Sequence, residues 1–103
     1  MTDYYGKEIS LDKILLDVRP GWHPLITTLV EDLGKLGWDG QVCQVKEKFG
    51  GLRFYIGAKS DEIQLRITEA EKQSYKICEI CGEPGTLVKL GWLMTRCPEH
   101  SKT

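Results

Sequence analysis

The chain reads as an α+β domain whose helices and one β-hairpin pack together, closed by a C-terminal zinc-binding module of the zinc-ribbon or treble-clef kind. Three observations carry that reading. Apolar residues recur at helical spacing in three separate segments. A middle segment alternates apolar and polar residues on both sides of a Gly-Gly pair, the pattern of a hairpin. The last quarter holds Cys78-x-x-Cys81-Gly82 and, with fifteen residues between Cys81 and Cys97, Cys97-x-x-His100.

Taken in order, Ser10 is placed to N-cap a short helix over 11–18, with Leu11, Ile14, Leu15 and Val18 on one stripe. Arg19-Pro20-Gly21 ends it. Pro24 suits the first residue of a second helix, where its missing N–H would have been unpaired in any case. Leu25, Ile26, Leu29, Val30, Leu33 and Leu36 keep the helical period, and Gly37 is a stop. Trp22 is expected against the start of this helix, and His23 as a surface or capping residue. Trp38-Asp39-Gly40 is a turn. Residues 41–56 form the hairpin, with Gly50-Gly51 as its turn and Leu52, Phe54 and Ile56 on the apolar face. Lys46, Lys48, Arg53 and Tyr55 fall on the other face. Ser60-Asp61-Glu62 opens a third helix with acidic residues at its positive end. Ile63, Ile67, Ala70, Ser74 and Ile77 make its core face, and Glu69, Glu71, Lys72 and Lys76 point outward.

That helix runs almost directly into Cys78. In each ligand pair, two side chains three positions apart on a tight turn can reach one ion, and the residues between the pairs suffice for a hairpin. Its expected strands are 86–90 and 92–96, around a turn at Gly91. Gly82, without a Cβ, permits φ > 0 and lets backbone N–H groups face the sulfurs. A redox Cys-x-x-Cys would instead open a helix after a strand and would need no second pair downstream. Three thiolates and one imidazole leave no open position, so one structural Zn²⁺ held by Cys78, Cys81, Cys97 and His100 is expected. Glu79, Glu83 and Glu99 read as solvated charges, and Cys43 as a buried core thiol. Trp92 and Met94 are candidates for a contact surface, unless Trp92 covers the zinc site or docks on the third helix.

With 103 residues and 41% apolar content, the chain is one compact unit: an α+β core over 1–77 and a zinc module over 78–103. No apolar run approaches the roughly 18 residues of a membrane span. The N-terminus shows neither a basic nor an apolar leader pattern, and three of four cysteines are committed to metal, so the expected setting is cytoplasmic. The net charge of −1 is unevenly spread: residues 1–40 carry four Lys/Arg against seven Asp/Glu, whereas residues 41–77 carry seven against five. A dedicated nucleic-acid binder is usually basic throughout. Once His100 is assigned to metal, only His23 remains, and the chain has no phosphate-cradling loop, nucleophile triad or deaminase signature. Catalysis is therefore not expected.

The segment Gln44-Val-Lys-Glu-Lys-Phe-Gly-Gly-Leu-Arg-Phe-Tyr55, followed by a helix and by Cys-x-x-Cys-Gly, Gly-Trp and Cys-x-x-His, resembles a group of small zinc-binding proteins of bacterial genomes and bacteriophages. The resemblance covers roughly residues 22–100. It implies a zinc-bound fold without an agreed activity, and it carries over no catalytic residues. Small phage-borne proteins of this size are often inhibitors of host machinery, anti-CRISPR proteins among them. Two readings of function follow. In the first, the chain binds and modulates a host or phage protein; if that partner is a nucleic-acid enzyme with a basic channel, Asp12, Asp17, Glu31 and Asp32 are the residues to test. In the second, Lys46, Lys48, Arg53 and Tyr55 contact nucleic acid.

Overall fold

The computed structural model describes residues 1–89 and 91–101, so Leu90, expected at the end of a strand, lies outside the described residues. The elements are α1 (Leu11–Leu15), a 3-10 turn (Pro20–Trp22), α2 (His23–Lys35), β1 (Val42–Lys48), β2 (Gly51–Ile56), α3 (Asp61–Ser74), β3 (Thr86–Lys89) and β4 (Leu93–Arg96). β1 and β2 form one antiparallel sheet, and β3 and β4 a second. The α+β reading and its order of elements hold.

Helix ends follow their capping residues. The Ser10 hydroxyl accepts from the Lys13 N–H at 3.2 Å, but α1 stops at Leu15, three residues short of the expectation. Two turn bonds, Asp17 N–H to Ile14 and Val18 N–H to Leu15, then carry the chain round so that Val18 is still buried. α2 begins at His23, with Pro24 in its second position. It ends at Gly37 (φ +90°), where the Trp38 N–H reaches the Leu33 carbonyl and the Gly37 N–H the Gly34 carbonyl. That pair of bonds is a Schellman motif, and it satisfies carbonyls that the last turn leaves open. Ser60 caps α3 through the Ile63 N–H.

The first hairpin departs from expectation at its tip. Lys48 pairs with Gly51, so Gly51 belongs to β2 and the turn is Phe49-Gly50. Both central residues have positive φ, +54° and +86°, as a type I′ turn requires. Gly51 is instead required by packing, because a Cβ there would collide with the Tyr75 ring.

The core lies between this hairpin and the helices. Ile14, Val18, Trp22, Ile26, Leu29 and Leu33 meet Val45, Leu52, Phe54, Ile63, Ile67 and Ala70. α3 also covers the free edge of β2. The Leu52 N–H donates to the Ser74 hydroxyl at 2.9 Å, and the Phe54 N–H donates to Glu71 Oε2 at 3.0 Å. Glu71 was expected outward. It turns in because an unpaired strand edge offers N–H donors that a carboxylate satisfies well. On the β1 side, the N-terminal residues supply bonds of their own: Val42 N–H to Thr2, and Thr2 N–H to Gly40. Cys43, expected in the core, is exposed. The register slips between Val42 and Gln44, and this bulge leaves Cys43 opposite no β2 residue.

Candidate metal centre and the surfaces around it

Cys78 and Cys81 stand on a knuckle turn directly after α3, and Cys97 and His100 directly after β4. The knuckle is closed by the Cys78 N–H bonding to the Glu83 carbonyl and the Gly82 N–H to the Cys78 carbonyl. Gly82 has φ +83°, as the turn was expected to need. β3 pairs with β4 in continuous register from Thr86–Arg96 to Lys89–Leu93, which brings the second ligand pair over the first.

The four ligand atoms all lie within 4.8 Å of one another. Cys81 Sγ and Cys97 Sγ are 3.7 Å apart, and His100 Nδ1 is 3.7 Å from Cys78 Sγ and 3.2 Å from Cys97 Sγ. A tetrahedral ion with bonds of about 2.3 Å to sulfur and 2.0 Å to nitrogen spaces its donors by roughly 3.5–3.8 Å. The donor set therefore fits one metal ion. Burial works against charge on Cys78, but backbone hydrogen bonds from Cys81, Cys97 and Ile80 outweigh it and bring the thiol down from 9.0 to about 6. For Cys81, the Glu83 N–H pulls downward, yet burial and the neighbouring Cys97 and Cys78 sulfurs leave the thiol raised. Cys81 is the exposed corner of the site; Cys78 and Cys97 are buried.

Glu79 is the functional residue that the sequence reading missed. Expected in solvent, it is 5% exposed. Its Oε1 accepts from Arg96 Nε at 2.9 Å and pairs with Arg96 Nη2 at 2.9 Å, while Arg19 Nε sits 3.7 Å away. Arg96 also donates to the His100 carbonyl at 3.3 Å. One carboxylate from the first ligand pair thus braces an arginine adjoining the second. The available signal was an acidic residue inside Cys-x-x-Cys and a basic one directly before the next Cys.

The same segment docks the module on the core. The Gly21 N–H donates to the Glu79 carbonyl at 2.8 Å, and the Glu79 N–H to Thr95 at 3.0 Å. A Cβ on Gly21 would collide with the Cys78 carbonyl oxygen. Trp22 is fully buried and donates its indole N–H to the Ile77 carbonyl at 2.9 Å, a larger role than contact with α2 alone. Thr95 donates its hydroxyl to the Gly50 carbonyl at 2.6 Å, tying β4 to the tip of the first hairpin.

Among the expected surface residues, Lys46, Lys48, Arg53 and Tyr55 do share one face, since Lys46 pairs with Arg53 and alternate residues point the same way. Lys46 Nζ lies 5.9 Å from the Tyr55 ring centre, Lys48 Nζ 5.5 Å from that of Phe49, and the Arg53 guanidinium 5.9 Å from that of Tyr75. Arg53 also donates to the Tyr75 hydroxyl, which raises its already high pKa. The acidic set is divided. Asp12, Asp17 and Glu31 are exposed, whereas Asp32 is paired with Arg66 at 3.0 Å across α2 and α3. The Asp32 carboxylate is thus already engaged within the chain, although 38% of its side chain stays exposed. Trp92 is 70% exposed in the turn before β4 and covers neither the ligands nor α3; Met94, also read as surface, is buried against the hairpin tip at Gly50. Met94 and the next residue, Thr95, are both buried, so both faces of this strand are covered and alternation leaves neither in solvent. His23 Nε2 lies 3.1 Å from the Val18 carbonyl, a local capping contact.

Fold and site together define a small α+β domain with a Cys₃His cluster, able to hold one metal ion, docked on its core. The chain matches no protein-family model, no curated protein and no solved structure. No helix among the described residues is long and apolar enough to cross a membrane.

Proposed function

We propose that the chain is a non-catalytic, zinc-stabilised protein-interaction module that binds and modulates a protein partner. The observation that carries this is Phe49. It is 64% exposed, yet it occupies a left-handed turn position. A bulky side chain there costs on the order of 1 kcal/mol relative to glycine, and Asn-Gly is the usual solution at such a turn. Phe49 recovers little of that through burial, so its presence is explained by contact outside the chain. Trp92 supports the same reading from the second hairpin, whose β4 is tied to the tip of the first by the Thr95–Gly50 bond. Three thiolates and an imidazole are the donor set of structural zinc, which would make the metal a brace for this surface.

The resemblance to phage and bacterial proteins suggests a host or phage protein as partner. In an inhibitor of a nucleic-acid enzyme, anti-CRISPR proteins included, the exposed Asp12, Asp17 and Glu31 would face the partner's basic channel. The test is capture from bacterial lysate with and without nuclease. A stoichiometric protein that survives nuclease and is lost with Phe49→Asn supports the module. Recovery that vanishes entirely with nuclease overturns it and favours the second reading, nucleic-acid binding by Lys46, Lys48, Arg53 and Tyr55. What supports that alternative is the single cationic and aromatic face they form. Its affinity should then fall steeply with salt.

A further inference from the structure

A cleft of about 400 Å³ opens between the chain leaving α1 and the zinc hairpin. The buried Trp22 and Met94 are among its apolar lining residues. Glu79 also faces it, but that carboxylate is already engaged by Arg96 and approached by Arg19. The other two carboxylates of the cleft, Asp17 and Glu47, are exposed and have no ion-pair partner among the described residues. Glu47 is nonetheless held in place, because its Oε2 accepts the Gly50 N–H at 2.7 Å. The rim carries two of the most exposed apolar side chains of the molecule, Leu16 at 84% and Trp92 at 70%.

We infer that this cleft is a recognition pocket for one cationic side chain, an arginine or lysine of the partner protein. The inference rests on the interaction reading and names the chemistry the partner must present. Such a side chain has an aliphatic stem that packs on apolar surface and a charged head that stays near solvent. Leu16 and Trp92 offer the stem its surface. Asp17 and Glu47 offer the head two carboxylates not otherwise neutralised, and the indole face adds a cation–π contact. Three carboxylates against two guanidinium groups line the cleft, so its charge complements a cation. An anionic ligand would meet the unpaired Asp17 and Glu47, and could engage Arg96 only by drawing it from Glu79 at the expense of a buried pair, which leaves the exposed Arg19 as its one accessible cation in the cleft.

The test is an NMR titration of the full-length, zinc-loaded, ¹⁵N-labelled protein with Nα-acetylarginine amide. Nα-acetylcitrulline amide, of the same shape without the charge, and Nα-acetylglutamate amide are run in parallel. The expected result is a saturable shift of the Trp92 indole N–H and the Leu16 amide with the arginine compound only. The affinity should fall about fivefold in the Asp17→Asn/Glu47→Gln variant, whose glutamine keeps an acceptor for the Gly50 N–H. An equal response to citrulline, a response to glutamate, no response at all, or an unchanged affinity in the variant would overturn the pocket. The two readings fail separately. A lysate partner that tolerates Asp17→Asn/Glu47→Gln but not Phe49→Asn leaves the module standing without this pocket. A chain that recovers no protein, yet shows charge-dependent arginine binding, overturns the module and the assignment to a partner side chain, and leaves the cleft as a site for a cationic group only.

Discussion

Glu79 connects both ligand pairs and the core. Its side chain holds Arg96 beside the second pair, and its backbone bonds both Gly21 and Thr95. Removing one member of a largely buried pair leaves the other without compensation. Glu79→Ala should therefore destabilise the protein by about 3 kcal/mol, measured by urea unfolding of the zinc-loaded form. A loss confined to a few tenths would mean that Arg19 and water replace the carboxylate. Gly21→Ala should be worse than its chemistry suggests, since the added methyl meets the Cys78 backbone, which cannot swing away as a flexible side chain would. Phe49→Asn has the opposite sign. It should stabilise the isolated chain by about 1 kcal/mol while weakening partner capture. A simple structural role for Phe49 would move both in the same direction.

At the level of elements, the parts of the fold with strong local chemistry were legible in the sequence. Ser10 and Ser60 cap helices, Gly37 ends one, and Leu52, Phe54 and Ile56 face inward, because each depends on neighbours within a few residues. What was not legible depends on distant partners. Glu71 turns inward only because α3 happens to lie along the free edge of β2. Cys43 turns outward only because the strand bulges. Glu79 is buried only because Arg96 and Gly21 arrive from other elements. The four ligands were legible because their spacing alone specifies convergence, whereas the brace around them was not. The edge contact is testable. Ser74→Ala leaves the buried Leu52 N–H without its acceptor and should cost about 1–3 kcal/mol. Hydrogen exchange should show the loss at β2 and the end of α3, with β3 and β4 unaffected.

For the molecule as a whole, the metal module forms a second, smaller layer that locks the tip of the first hairpin and the Gly21-Trp22 turn in place. The ligands must be deprotonated to bind, so zinc affinity should decline as pH falls. Cys78 sets the shape of that decline. Its thiol is depressed to about 6, so the thiolate is favoured down to that pH and lost as pH falls through it. The loss of affinity should therefore steepen below about pH 6, as followed by competition with a chelator. Cys97→Ser should cost several kcal/mol and loosen the hairpin β3–β4, leaving α2, α3 and the first hairpin folded.

The most direct measurement is amide hydrogen exchange of the metal-free protein as zinc is added. Protection should rise together in the knuckle, in β4 and at the Gly21 amide, which bonds the Glu79 carbonyl, and should be complete at one equivalent. Protection that is already full without metal, or that grows only in the knuckle and never reaches Gly21, would contradict the claim that a single bound ion braces the module and the surface it carries.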